Sequence, residues 1–146
     1  MHFREALIQD IPQIQQVRNA VKENTLSNPA LVSDADCEDY LLRRGKGWVC
    51  EADGRIVGFA IADLLDHNVW ALFITPEYEK QGIGLRLHNT LINWYFSMSE
   101  VTLWLSTSPG TRAETFYRKA GWRETGPYGK NEIRFEIEFE QWKNYK

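Results

Sequence analysis

The chain predicts an α/β (α+β) fold: a central mixed, mostly antiparallel, twisted sheet of about six to seven strands flanked by about four helices. Three stretches carry this expectation. Val69 to Ile74 is a short apolar run with β-branched and aromatic residues, which suits a central strand. A glycine-punctuated turn and a long helical segment follow it, and Val101 to Ser106 then makes another strand. Leaving one strand, crossing by a helix and entering the next describes a right-handed unit, so the fourth and fifth strands should be parallel. Near the end, Ile133, Phe135, Ile137 and Phe139 alternate with Glu132, Arg134, Glu136 and Glu138. That period of two gives a strand with one buried and one wet face.

The elements follow in order. Phe3 to Ile8 can form the first strand. Asp10 is placed as a helix N-cap, with Pro12 in the first turn and Gln13 at the reciprocal capping position. Ile11, Ile14, Val17 and Val21 make the buried stripe of that helix. Asn24 to Leu31 reads as a loop. Ser33 caps a second helix, with Cys37, Tyr40 and Leu41 facing inward and Gly45 or Gly47 stopping it. Trp48 to Ala52 and Arg55 to Leu64 are strands joined by Asp53-Gly54, a pair suited to a two-residue type I′ hairpin. Gly58 inside the second of them suggests a bulge or close packing. Asp66-His67-Asn68 turns into the central strand, and Thr75-Pro76 ends it, because proline offers no N–H to a ladder.

In the long helix, Ile83, Leu87, Leu91, Trp94, Tyr95 and Met98 recur at spacings of three and four and share one face. Arg112 to Ala120 forms a short helix ended by Gly121. Trp122 to Thr125 and Glu132 to Phe139 close the chain as a hairpin around Gly126-Pro127-Tyr128-Gly129.

A length of 146 residues fits one domain, residues 1–146, large enough to bury a core. No run approaches the ~20 apolar residues of a membrane span. His2, Arg4 and Glu5 interrupt the start, so no leader is read and a cytoplasmic protein is expected. Cys37 and Cys50 are too few and too unpatterned for a disulfide framework or a zinc site, and no metal is expected. A net charge of −3 without a basic block argues against a nucleic-acid binder and is compatible with a cationic amine.

The chemistry concentrates in Pro76-Glu-Tyr-Glu-Lys-Gln-Gly-Ile-Gly84. Gly82 and Gly84 bracket Ile83, so the backbone can turn sharply there and lie bare to a ligand. Successive N–H groups in such a turn, and the unpartnered N–H groups of a first helical turn, make a site for phosphate or pyrophosphate. A Walker loop is excluded, because Gly84 is followed by Leu85 and Arg86 rather than Lys and Ser/Thr. A dinucleotide fingerprint needs a small residue where Leu87 stands.

This run resembles the acetyl-CoA loop of the GNAT superfamily of N-acetyltransferases, whose pattern is Arg/Gln-x-x-Gly-x-Gly/Ala between the fourth strand and the third helix. Gly82 and Gly84 match; Glu79 stands where Arg or Gln is usual and requires Lys80 or Arg86 to offset it, or an outward orientation. Ala113-Glu-Thr-Phe-Tyr-Arg-Lys-Ala-Gly-Trp122 is similar to the family's Ala-x-x-Phe/Leu-Tyr-x-x-x-Gly-Phe signature. Gly110 stands where the family often has an Asn that contacts pantetheine, so that contact is either lost or supplied by Ser106, Thr107 or Ser108. The element order is also that of the GNAT fold.

The resemblance implies acetyl transfer from acetyl-CoA, as cosubstrate, to a primary amine of a small molecule or peptide, directly in a ternary complex. Main-chain groups of Phe73 and Ile74 would pair with pantetheine between splayed fourth and fifth strands. N–H groups of Glu79, Lys80, Gln81, Gly82, Ile83, Gly84 and Leu85 would hold the pyrophosphate. An N–H near Ile74 would polarise the thioester carbonyl. Tyr117 is the candidate acid for the departing thiolate, since a phenol titrates near ~10. Asp63, Asp66, His67 or water remain open as the base. His2 and His88 read as surface or ordinary helix residues, and Trp48, Trp70 and Trp104 as core or acceptor-pocket residues. An acyl-CoA-binding module with weak or no catalysis is the alternative, and a homodimer is compatible with the fold.

Overall fold

The computed structural model describes residues 1–21 and 32–144. The expected loop at Asn24 to Leu31 lies outside the described residues. The elements are β1 (His2–Glu5), α1 (Ile11–Ala20), α2 (Asp34–Asp39), β2 (Gly45–Ala52), β3 (Arg55–Asp63), β4 (Asn68–Ile74), α3 (Ile83–Met98), β5 (Leu103–Thr107), α4 (Arg112–Lys119), β6 (Arg123–Tyr128), β7 (Glu132–Ile137) and α5 (Phe139–Asn144). The seven strands form one mixed sheet in the order β1-β2-β3-β4-β5-β7-β6. Every neighbouring pair is antiparallel except β4 and β5.

Two buried clusters sit on the two faces of this sheet. On one, Ile83, Leu87, Leu91 and Tyr95 of α3 meet Leu103, Leu105, Phe135 and Ile137. On the other, Ile11, Ile14 and Val17 of α1 join Cys37 and Leu41 against Val49, Phe59, Ile61 and Ala71. Each fully buried aliphatic side chain contributes roughly 1.5–3 kcal/mol relative to exposure.

The local rules explain most element ends. Asp53 and Gly54 both have positive φ, 54° and 77°, as a type I′ turn requires. Cys50 pairs with Gly58 and Glu51 with Ile56, so a bulge at Val57 lies beside Gly58. A Cβ on Gly58 would stand 2.8 Å from Ile74 Cδ1, so both reasons for that glycine hold. Ser33 Oγ accepts from the Asp36 N–H at 3.1 Å and the Ser33 N–H donates to Asp36 at 3.0 Å, closing the α2 capping box.

Several expectations are corrected. β1 ends at Glu5, because a 3-10 turn over Ile8–Asp10 begins the helical segment early. Asp10 does stand at the N-cap position of α1, but its side chain caps no N–H of that helix; its carboxylate accepts from the Leu7 N–H at 2.7 Å and from Arg4 at 2.7 and 2.9 Å. Gln13 does not reach back to it, and instead accepts from the Ile56 N–H at 2.9 Å, tying α1 to β3. Met98 is exposed, whereas His88, Ile92 and Phe96 join the buried face of α3. β6 runs to Tyr128, with Gly126 at an irregularity in the register rather than in the turn. The last strand stops at Ile137, and Phe139 opens α5. There Trp142 stacks on Phe96 with ring centroids 5.3 Å apart, so α5 covers the C-terminal part of α3.

Candidate active site

The site begins where the parallel pair fails to continue. β4 and β5 share one registered pair, Asn68 with Trp104, beside a Trp104 N–H to His67 carbonyl bond of 3.0 Å. Beyond it β4 follows β3, and β5 follows β7. A bulge sharpens the divergence: Ala62 pairs with Val69 and Ile61 with Ala71, leaving Trp70 as the extra residue. A cavity of about 630 Å³ occupies the gap. Its walls are Val69 to Ile74 of β4, Leu105 to Thr107 of β5, the loop and first turn of α3, and one side of α4 from Arg112 to Lys119.

The loop before α3 supplies the polar end. The Tyr78 N–H bonds the Thr75 carbonyl at 2.9 Å and the Glu79 N–H bonds Pro76 at 3.3 Å. Lys80 and Gly82 then take positive φ, 65° and 83°. Gly84 does not: it is an ordinary helical residue. A Cβ there would meet Ile74 and Phe116 at 3.8 and 3.9 Å, so its contribution is room rather than conformation. Among the described residues, no backbone carbonyl or side chain accepts from the N–H groups of Lys80, Gln81, Gly82, Ile83, Gly84 or Leu85. The first helical acceptor serves Arg86, whose N–H reaches the Gly82 carbonyl at 3.2 Å. Six unaccepted donors at a 16-residue helix start make a region of concentrated partial positive charge.

Seven of the nine residues expected around a cosubstrate line the cavity: Phe73, Ile74, Glu79, Lys80, Gly82, Gly84 and Leu85. Gln81 is exposed outside it, and the Ile83 side chain is buried in the core, so these two offer main chain only. Glu79 is offset neither by Lys80 nor by Arg86. Arg86 lies over the Phe3 ring at 4.1 Å. The partner is Arg112, 3.0 Å away at the start of α4. Proximity in sequence favoured Lys80 and Arg86; only the topology brings residue 112 to residue 79.

Tyr117 is on the cavity wall, 6% exposed, with its ring among Phe116, Trp122 and His88 at 5.1, 5.5 and 6.4 Å. Burial pushes its phenol above the ordinary range. His88 is not a surface residue. It lies in the core behind Tyr117, accepts from Trp122 Nε1 at 2.9 Å, and burial lowers its pKa.

Asp63, Asp66 and His67 lie outside the cavity lining. Asp63 is fully buried and takes both Nε and Nη2 of Arg44, at 3.2 and 2.8 Å, plus the Leu65 N–H at 2.9 Å. Asp66 pairs with the same Arg44 at 2.9 Å. His67 Nδ1 sits 3.0 Å from Tyr95 Oη, whose proton goes to the Val101 carbonyl. All three lock the β3–β4 turn. Of the tryptophans, Trp48 is core, Trp104 donates to the Asp66 carbonyl at 2.8 Å, and Trp70 alone of the three lines the cavity, stacked on Tyr40 at 3.9 Å. Of the residues expected to supply the contact missing at Gly110, Ser106 and Thr107 line the cavity, the Ser106 hydroxyl donating to Glu132 at 2.6 Å. The Ser108 carbonyl accepts from the Thr111 hydroxyl. Cys37 and Cys50 are free and buried.

Comparison with known proteins settles the family. The model described as "Acetyltransferase (GNAT) family" matches residues 11–122. The chain belongs to the GNAT acetyltransferase family. Its fold is similar to that of the PaiA N-acetyltransferase of Thermoplasma acidophilum, solved in complex with coenzyme A. The TM-score is 0.81 at 17% identity, covering 94% of this chain and 98% of that one. It is also similar to the ribosomal-protein-S18-alanine N-acetyltransferase of Escherichia coli, with TM-score 0.76, 18% identity, and 94% and 93% coverage. The ribosomal-protein-alanine N-acetyltransferase of Brucella melitensis gives TM-score 0.76, 22% identity, and 94% and 99% coverage. No curated protein matches the sequence. Among the described residues of this GNAT chain, no helix is long and apolar enough to cross a membrane, and no group of His, Cys, Asp and Glu could hold a metal ion.

Proposed function

We propose that this GNAT chain transfers an acetyl group from acetyl-CoA to a primary amine of a small molecule or peptide, directly and in a ternary complex. The observation that carries the reading is the row of unaccepted N–H groups from Lys80 to Leu85, opening onto the same cavity that Tyr117 faces. The residues fit the cosubstrate: the N–H row takes the pyrophosphate, and the β5-facing edge of β4 near Phe73 and Ile74, which has no pairing to β5 beyond Asn68, takes the pantetheine amides. An N–H beside Ile74 polarises the carbonyl.

The amine nitrogen forms the new C–N bond while the C–S bond breaks. Tyr117 gives its proton to the departing sulfur, and the proton shed by the amine goes to water. Water is the acceptor because Asp63, Asp66 and His67 are committed elsewhere. The fully buried Cys37 and Cys50 offer no acyl relay. The Glu79–Arg112 pair removes the electrostatic objection to phosphate in this loop, and with it one ground for a purely acyl-CoA-binding role.

The test is thiol release from acetyl-CoA against an amine panel, with mass spectrometry of the product. An N-acetylated amine formed in step with free CoA supports the proposal. CoA binding without any transfer would leave a binding module.

A further inference from the structure

The cavity is walled from both faces of the sheet, and the two sides differ in charge. Its charged side chains, Glu79, Lys80, Arg112 and Lys119, all come from the loop before α3 and from α4, where the cosubstrate is placed above. On the face that carries α1, the lining is Val21, Trp70 and Phe73. Among the described residues, that side presents no carboxylate to a second ammonium and no cation to a carboxylate. Arg18 stands behind this wall, 4.8 Å from the centre of the Trp70 ring and 5.2 Å from that of Phe73, and is no part of the lining.

The wall is also held in place. Trp70 is the extra residue of the β4 bulge. Tyr40 stacks on its indole at 3.9 Å, with the ring planes 9° apart. Arg44 lies over the Tyr40 ring at 4.5 Å and is itself fixed by Asp63 and Asp66. So braced, the indole presents a fixed surface. What it offers an acceptor is apolar contact, and apolar contact is enough to separate similar substrates. A charged group set against it loses water and gains no partner. For a second ammonium, Arg18 adds repulsion through the wall. The same apolar surroundings favour the neutral form of the reacting amine, which suits a transfer whose proton goes to water.

We propose that the acceptor is an apolar primary amine, one whose carbon skeleton carries no second charge, and that Trp70 and Phe73 select it. The inference rests on the acetyltransferase reading and names its substrate class. The skeleton lies against Trp70, Phe73 and Val21, and the amine points through the gap between β4 and β5 toward the thioester. Diamines and amino acids are poor acceptors, because their second charge meets the same wall.

The experiment uses matched pairs: hexylamine beside hexamethylenediamine, and phenethylamine beside phenylalanine. Binding is read as the rise in melting temperature in saturating CoA, which carries no acetyl group. Transfer is read as kcat/KM with acetyl-CoA. In each pair the singly charged amine should lead by about tenfold or more in kcat/KM, and it alone should raise the melting temperature. Val21→Glu sets a carboxylate into the wall at a half-buried position. It should bring hexamethylenediamine level with hexylamine or past it, while the shift given by CoA alone stays and shows the variant folded. Equal or reversed ranking within either pair of the parent, no binding by any probe, or a ranking unmoved by Val21→Glu would overturn the proposal. Transfer without discrimination sinks this inference and leaves the acetyltransferase reading. Discrimination in binding without transfer does the reverse.

Discussion

Trp122 Nε1 donates a hydrogen bond to His88 Nε2 across 2.9 Å of buried core, between α4's end and the middle of α3. The indole can only donate, so Nε2 must hold a lone pair, and Nδ1 carries the proton toward Asn89 Oδ1 at 2.9 Å. Burial depresses the His88 pKa, the Asn89 contact opposing it more weakly. In the unfolded chain His88 takes a proton near pH ~6.5; in the folded chain it resists until lower pH. Stability from neutral His88 is therefore complete above pH ~6.5 and is lost as pH falls, at up to about 1.4 kcal/mol per pH unit. His88→Gln keeps an acceptor for Trp122 without titrating. Urea midpoints from pH 8 to 5 should fall less steeply for the variant than for the parent.

Tyr117→Phe keeps the ring among Phe116, Trp122 and His88 and removes only the hydroxyl. If that hydroxyl protonates the leaving thiolate, kcat should drop about 100-fold or more while the dissociation constant for CoA stays. The raised phenol pKa adds a second expectation. Turnover of the parent should show no descending limb below pH ~10, because the acid form persists past the usual phenol value. Stopped assays of thiol release across pH 7–10 read both. Turnover unchanged in the variant rejects Tyr117 as the acid.

The strands and helices were legible because period two and period 3.6 show through in Glu132 to Ile137 and in Ile83 to Tyr95. The phosphate loop was legible because Gly82 does need its left-handed backbone. What escaped depends on pairs distant in sequence. Arg112 meets Glu79 only once α4 folds over the loop. Asp63 stays open as a base in the sequence, because nothing there shows that Arg44 closes over it. The short α5 hid behind the alternation of β7, since Phe139 fits a strand's pattern as well as a helix start. Arg18 falls four residues from Ile14, on the inner face of α1, so the helical period alone places it inside.

Asp63→Asn should separate stability from catalysis. The carboxylate is fully buried, receives the Leu65 N–H, and holds two nitrogens of Arg44. Neutralising it leaves Arg44 with Asp66 alone, and should cost about 3 kcal/mol by denaturant titration. Asp66→Asn, with a carboxylate 64% exposed, should cost under about 1 kcal/mol. Neither change should lower kcat tenfold at a temperature where the variant is folded. A larger fall with Asp63→Asn would restore it as a base acting through water.

Arg112→Ala tests whether the distant cation makes the Glu79 loop fit for phosphate. Both side chains are partly exposed, 46% for Arg112 and 31% for Glu79, so their pairing adds less than about 1 kcal/mol to folding. The effect should appear in binding instead. With Arg112 gone, Glu79 faces the N–H row of Lys80 to Leu85 uncompensated and repels an arriving diphosphate. At a separation of a few ångströms in water one such charge is worth about 1 kcal/mol, so KM for acetyl-CoA should rise several-fold. The rise should shrink as salt is added. Glu79→Gln in the Arg112→Ala background removes the repulsion and should recover most of the loss, with kcat steady throughout. A double variant no better than Arg112→Ala alone would mean that Arg112 touches the cosubstrate itself rather than acting through Glu79.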